Sequence, residues 1–313
     1  MNAVAQAVTT MTDLLTGAEW GPAQVRELYR LAADVKAAPQ RYEEALHGRF
    51  LAMIFEKPSL RTRVTFEVAI KSLGGGAVFL DHAGTRLGER ESIPDVGRCL
   101  SGWVHGIIAR VYEQDALEEL AAHASIPVIN ALSDRFHPCQ TLSDFFTLEE
   151  RFGNLRGLKF AYVGDGNNVC HSLLIAGARV GAQVRIATPA GYEPNSHIVA
   201  EARRVARETR GKIELYRAPA DAVAGAQAVY TDVWASMGQE DEAEARAAVF
   251  AGYQVDAELM SLAAPDAVFL HCLPAHRGSE VAEDVIDGPR SIVFGQAENR
   301  LHVQKAILLK LLG

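Results

Sequence analysis

Six short segments of the chain bring together residue types that bind anions, donate to carbonyl oxygens or hold amines. Ser59-Leu60-Arg61-Thr62-Arg63 opens an expected helix directly after an expected strand. A helix start offers unpaired N–H groups and the positive end of the dipole. Ser59 and Thr62 add hydroxyls and Arg61 a bidentate fork, a combination suited to a phosphate. The alternative is Ser59 as a plain N-cap beneath a solvated arginine face. The segment is not a Walker loop, which needs GxxxxGK[ST]. His137-Pro138-Cys139-Gln140 is expected in a loop before a helix. His137 and Gln140 can both donate to a carbonyl oxygen on which charge grows during acyl transfer. The plainer reading is a His137 satisfied by a backbone carbonyl, and Cys139 is read as a packed small residue.

Gly164-Asp165-Gly166-Asn167-Asn168 resembles the start of a dinucleotide turn but lacks the GxGxxG spacing, and no acidic residue closes the next strand. Asn168 can instead hold a carboxylate or an amine. Asp232-Val233-Trp234-Ala235-Ser236-Met237-Gly238 follows a strand, and a buried Asp beside a Ser suits an ammonium group. The acidic run from Glu240 to Glu244 reads as a solvated loop. His271-Cys272-Leu273-Pro274 ends another strand, with a reactive thiolate and a structural thiol both open at Cys272. No HExxH signature is present, and HCLPAH brings no partner ligands at metal spacing. Gln296-Ala297-Glu298-Asn299-Arg300 opens the last helix, from which Arg300 either reaches the phosphate or covers an exposed helix end.

These segments need a frame. The 313 residues exceed one usual core, so two units are expected. Hydrophobic residues make up 49% and charged residues 22%, a globular profile, and the net charge of −8 excludes recruitment of nucleic acid or anionic membrane by bulk basicity. An anionic substrate must therefore be gathered by a local arginine cluster. Four scattered cysteines argue against a disulfide framework. No bilayer-spanning run, secretory signal or arginine-rich transit peptide is visible, so a cytoplasmic protein is expected.

Short apolar runs alternate with amphipathic ones. Strands are expected at 51–55, 77–81, 106–110, 126–130, 158–164, 183–189, 212–217, 228–233 and 267–274. Helices are expected at 14–38, 61–73, 140–152, 169–180, 198–209 and 298–312. Apolar strands separated by helices imply parallel sheets buried on both faces. The expected architecture is thus α/β: two units, each a central parallel sheet flanked by helices, with a boundary near 152–157. In such sheets ligands bind beyond the carboxyl ends of the strands, and the polar segments above follow strand ends.

SLRTR, HPCQ, GDGNN, DVWASMG, HCLP and QAENR, in this order and spacing, resemble the ornithine carbamoyltransferases of the aspartate/ornithine carbamoyltransferase family. The first-half motifs are shared with aspartate carbamoyltransferases, and DVWASMG with HCLP selects ornithine. The resemblance implies a carbamoyl phosphate domain (1–152, with the last helix, 298–313, packing back on it) and an ornithine domain (153–297). It implies transfer of the carbamoyl group to the δ-amine of ornithine, with no cofactor or metal. It also implies a homotrimer, in some members assembled further. Carbamoyl phosphate would be held by Ser59, Leu60, Arg61, Thr62, Arg110, His137, Pro138, Cys139, Gln140, Cys272, Leu273 and Arg300. Arg61, Arg110, His137, Gln140 and Cys272 would be the catalytic set. Ornithine would meet Asn168, Asp232, Ser236 and Met237. Leu60 stands where many members carry Thr. Arg86 stands where a Gln often reaches the phosphate of a neighbouring subunit. The alternatives are carbamoyl transfer to aspartate, putrescine or an N-acylated ornithine, and a non-catalytic ligand-binding subunit.

Overall fold

Residues 13–81, 86–235 and 240–313 are described by the structure, a computed structural model. Ser236 and Met237, two of the expected ornithine contacts, lie outside the described residues. In chain order the first half contains α1 (Pro22–Ala37), β1 (Phe50–Phe55), α2 (Leu60–Lys71), β2 (Gly76–Asp81), α3 (Ile93–Ser101), β3 (Gly106–Arg110), α4 (Gln114–His123), β4 (Val128–Leu132) and α5 (Pro138–Phe152). The second half contains β5 (Lys159–Val163), α6 (Asn168–Val180), β6 (Gln183–Ala187), α7 (Ser196–Thr209), β7 (Lys212–Tyr216), α8 (Pro219–Val223) and β8 (Ala228–Thr231). It closes with α9 (Ala243–Phe250), α10 (Ala257–Ser261), β9 (Val268–His271), α11 (Glu283–Ile286) and α12 (Val293–Leu312).

The strands form two parallel sheets, ordered β2-β1-β3-β4 and β7-β6-β5-β8-β9. Residues 51–55 of β1 and all of β3 are buried, because helices cover both faces of a parallel sheet. One apolar core runs from the first sheet across α5 into the second sheet. In α5 every residue from Pro138 to Leu148 is buried. On its two sides Phe146 packs against Tyr29, with ring centroids 5.8 Å apart, and Phe145 against Phe160, at 5.2 Å. α12 returns to pack on α1, α2 and α5. Among the described residues no helix is long and apolar enough to cross a membrane.

Four of the boundaries that differ from the sequence expectation have local causes. The helix expected from residue 14 starts at Pro22, whose fixed φ suits a first helical position. Leu14 instead runs beside β4, donating to the Val128 carbonyl at 2.9 Å and accepting from the Asn130 N–H at 2.8 Å. β4 starts at Val128 rather than at residue 126, because Pro127 has no N–H for the ladder. Pro138–Gln140 form the first turn of α5, not a loop, with His137 at the cap position. α12 starts at Val293, which puts Arg300 about two turns inside the helix.

Strand order reverses beside β1 in the first sheet and beside β5 in the second. At the carboxyl ends there lie Ser59–Thr62, Arg110, Asn167–Asn168 and Asp232, with Cys272 after β9. Such reversal points leave a crevice because the flanking helices depart on opposite sides.

Candidate active site

Ser59 caps α2, its Oγ accepting from the Thr62 N–H at 3.3 Å. Arg61 follows on the first turn, half-buried, and its pKa is lowered by that burial. Arg110 ends β3 and is pushed down to about 10, first by burial and then by Arg300 and Arg61. Arg300 is 2% exposed and donates from Nη2 to the Thr62 hydroxyl at 2.6 Å, while its Nε is buried without an acceptor. The reading of Arg300 as cover for an exposed helix end is therefore excluded. Arg61 and Arg300 depress Arg110, and Arg61 depresses Arg300, an electrostatic cost that a dianion among them would relieve.

The same three arginines act on His137. Burial comes first and Arg300, Arg110 and Arg61 follow, holding its pKa well below the usual histidine range. The imidazole is thus neutral, offering one N–H donor and adding no fourth positive charge. Its backbone N–H donates to the Ser172 Oγ at 2.8 Å, tying the cap of α5 to α6. Cys139 is buried, donates to the Asn130 carbonyl at 3.3 Å and has its thiol pushed up to about 12, as befits a packed residue rather than a nucleophile.

Gln140 Nε2 donates to Asp144 Oδ1 at 2.8 Å, and its Oε1 is buried without a partner. The amide thus keeps an acceptor, and a second Nε2 hydrogen for the expected donation to a carbonyl oxygen. Gln296 Nε2 donates to the same Asp144 oxygen at 2.7 Å, and Gln296 Oε1 accepts from the His271 N–H at 3.0 Å. Asp144, pushed up to about 6 mainly by burial, therefore anchors two amides, one leading to each half of the site.

In the second half Asp232 is 5% exposed. Its Oδ1 accepts from the Cys272 thiol at 2.9 Å and from the Val233 N–H at 2.8 Å, and its Oδ2 accepts from Asn167 Nδ2 at 2.9 Å. Burial and Asp232 raise the Cys272 thiol well above the ordinary value, which decides against a reactive thiolate. Asn168, the first residue of α6, donates to the Ser133 carbonyl at 2.7 Å. The Gly164–Asn168 turn holds no nucleotide phosphate: a Cβ on Gly166 would lie 2.3 Å from the Pro194 nitrogen, so a neighbouring loop fills that side. Glu242 of the acidic run is drawn to Arg246 at 2.9 Å.

Arg86 does not join the cation cluster in this chain. It is exposed, pairs with Glu113 at 2.8 Å and lies 5.0 Å from the centre of the Tyr112 ring.

A donor set was missed. One ligand atom each from Asp232, His271 and Cys272 lies within 4.8 Å of the others. Spacing within HCLPAH cannot reveal it, because Asp232 comes from another strand. These groups are already engaged with one another and with Leu273, so a cation would have to displace those bonds.

Several positioning residues also escaped the sequence. Asn167 both caps α6, accepting from the Val169 and Cys170 N–H groups at 3.0 Å, and steadies Asp232. An Asn before an apolar run is a cap signature that could have found it. Buried Arg246 joins Asp165 at 2.8 Å to the Trp234 carbonyl at 3.0 Å, fixing the start of the DVWASMG segment. Glu56 accepts from the Tyr112 N–H at 2.6 Å and from the Leu87 N–H, holding the segment after Arg86.

An arginine cluster on one parallel sheet and a buried carboxylate on a second suit an anion and an ammonium group respectively. Residues 12–150 match the family described as aspartate/ornithine carbamoyltransferase, carbamoyl-P binding domain, and residues 156–311 match its Asp/Orn binding domain. The chain belongs to this family. It is 50% identical to the ornithine carbamoyltransferase of Anoxybacillus flavithermus over 314 residues, covering 100% of both chains. Identity to that of Pyrococcus abyssi is 50% over 303 residues, 96% of each. The fold is similar to the ornithine carbamoyltransferase structure from Pyrococcus furiosus, with a TM-score of 0.93, 49% identity and coverage of 96% and 97%.

Proposed function

We propose that this chain is an ornithine carbamoyltransferase, moving the carbamoyl group of carbamoyl phosphate to the δ-amine of L-ornithine to give L-citrulline and phosphate, a step of arginine biosynthesis. The observation that carries the reading is the buried Asp232–Cys272 pair beside the Arg61–Arg110–Arg300 cluster. Aspartate as acceptor would call for a cation where Asp232 stands.

The phosphate sits at the start of α2, on the Ser59–Thr62 backbone and hydroxyls, among the three arginines. Neutral His137 donates to the carbamoyl oxygen, and the open Gln140 Oε1 accepts from the carbamoyl amide. Asp232 receives the α-ammonium of ornithine, and the remaining amide hydrogen of Asn168 its carboxylate. The δ-amine, lysine-like with a pKa of ~10.4, attacks as the neutral base. Its nitrogen bonds the carbamoyl carbon, the carbon–oxygen bond to phosphate breaks, and the amine proton is released. Fixed donors aimed where charge grows lower the barrier without reorganising, and holding both substrates together contributes further. Purified protein is expected to form citrulline from carbamoyl phosphate and ornithine. Faster turnover of aspartate, putrescine or acetylornithine would replace this reading.

The division into a carbamoyl phosphate domain (1–152 with 298–313) and an ornithine domain (153–297) is supported by α12 packing on α1, α2 and α5. A cytoplasmic setting is supported by four free cysteines. A homotrimer, in which Arg86 leaves Glu113 for a neighbour's phosphate site, is supported by the outer face of α2. There Leu60, Val64 and Val68 are 74%, 48% and 44% exposed at four-residue spacing, an apolar stripe that a second copy would cover. Sedimentation is expected to give three times the 33.9 kDa chain mass, and Val64→Asp to shift the protein to the single-chain mass. A wild-type monomer would contradict the assembly.

A further inference from the structure

Leu273 stands at φ 57°, in the left-handed region, although it carries a bulky side chain. Such a backbone persists only where its surroundings hold it. The holder is His271, which is 1% exposed at the end of β9. Its Nδ1 accepts from the Leu273 N–H at 2.9 Å, so the ring proton resides on Nε2. Nε2 faces Glu280 Oε1 at 3.3 Å. Glu280 is likewise 1% exposed, and its Oε1 also accepts from the His276 N–H at 2.5 Å. Despite burial, the adjacent His271 ring and the His276 backbone N–H keep its carboxyl below the ordinary value. On the other side, the His271 N–H is held by Gln296 Oε1 at 3.0 Å. The segment restrained in this way presents Cys272 to Asp232 and Leu273 to the carbamoyl site.

We infer that His271 and Glu280 are positioning residues, with the carboxylate fixing the imidazole tautomer and Nδ1 fixing the Leu273 backbone against which the substrates meet. Neither reaches the reacting atoms, so they act by geometry, and a displacement of about 1 Å in such a site costs roughly 10²-fold in rate. This inference rests on the carbamoyl transfer reading above.

The test compares His271→Asn, whose side-chain oxygen can take the place of Nδ1, with His271→Leu, which has no acceptor. Both leave Glu280 without its imidazole, so a loss of stability is common to the two. Active sites are counted by calorimetric titration with phosphonoacetamide, a non-hydrolysable analogue of carbamoyl phosphate, and citrulline turnover is expressed per titrated site. Partial unfolding lowers the site count but not turnover per site. His271→Leu is expected to lose about 30- to 100-fold per site and His271→Asn less than about fivefold, with analogue affinity little changed because the arginines hold the phosphonate. Equal turnover per site in the two variants, or His271→Leu within threefold of wild type, overturns the inference. If neither His271 variant folds, Glu280→Gln, which retains an acceptor, and Glu280→Ala provide the same comparison: Gln is expected near wild type and Ala about tenfold slower. Absence of citrulline from the wild type would refute the transferase reading itself, a result distinct from any difference between variants.

Discussion

Arg61→Ala is expected to lower the rate by about 10² to 10³, a loss of ~3–4 kcal/mol of transition-state stabilisation. Arg61 sits on the first turn of α2, next to the capping Ser59, and exchanges repulsion with Arg110. Removing it leaves the departing phosphate one fixed donor short, and water entering the gap must reorganise as charge moves. Arg63 is the internal control. Its guanidinium lies 3.7 Å from the centre of the Phe79 ring, outside the cation cluster. Arg63→Ala should therefore leave kcat/KM for carbamoyl phosphate within a few fold. Steady-state kinetics on both variants checks the assignment, and equal damage from the two, or none from Arg61→Ala, contradicts it.

Asp232→Asn is expected to act on the other substrate. The carboxylate is buried and already accepts from Cys272, Val233 and Asn167. It is thus held in place before ornithine arrives, and its charge is the part an amide cannot supply. Loss of a desolvated charge partner costs ~2–5 kcal/mol, so kcat/KM for ornithine should fall by about 30- to 5,000-fold. Carbamoyl phosphate binding should change by less than about threefold, since the phosphate lies among the arginines. Calorimetry with each substrate separates the two effects. A variant that loses carbamoyl phosphate binding while keeping ornithine kinetics would reverse the roles given to the two halves.

Much of this frame was legible in the sequence. LAMIF is apolar throughout, and GIIAR is so up to its terminal Arg110, a pattern that suits a strand covered on both faces; they became β1 and β3. Glycine after residue 152 stopped α5 where expected. The misjudged starts have local causes. Leu14 has helical neighbours in spacing, yet its backbone groups found partners on β4. Pro138 falls in the loop expected before α5, although proline also suits the first turn of a helix.

The site divides in the same way. That polar groups collect at strand ends was legible from order alone. That Arg61, Arg110 and Arg300 converge was not, because nothing in local spacing tells a helix late in the chain to return to α2; the family resemblance supplied it. The amide network was illegible for the same reason. Gln296 lies 152 residues from Asp144, and neither residue type signals its partner. That network also spends one of Gln140's two amide hydrogens on Asp144, which its position in HPCQ could not show. Arg86 remains on its own chain beside Glu113, where a single chain offers it no phosphate.

The central claim is that a new bond forms between the carbamoyl carbon and the δ-nitrogen of ornithine. Wild-type protein given ¹³C-carbamoyl phosphate and δ-¹⁵N-ornithine should yield citrulline whose carbamoyl carbon shows one-bond coupling to ¹⁵N, with one phosphate released per citrulline. Label recovered only as bicarbonate, with ornithine unchanged, would contradict the account.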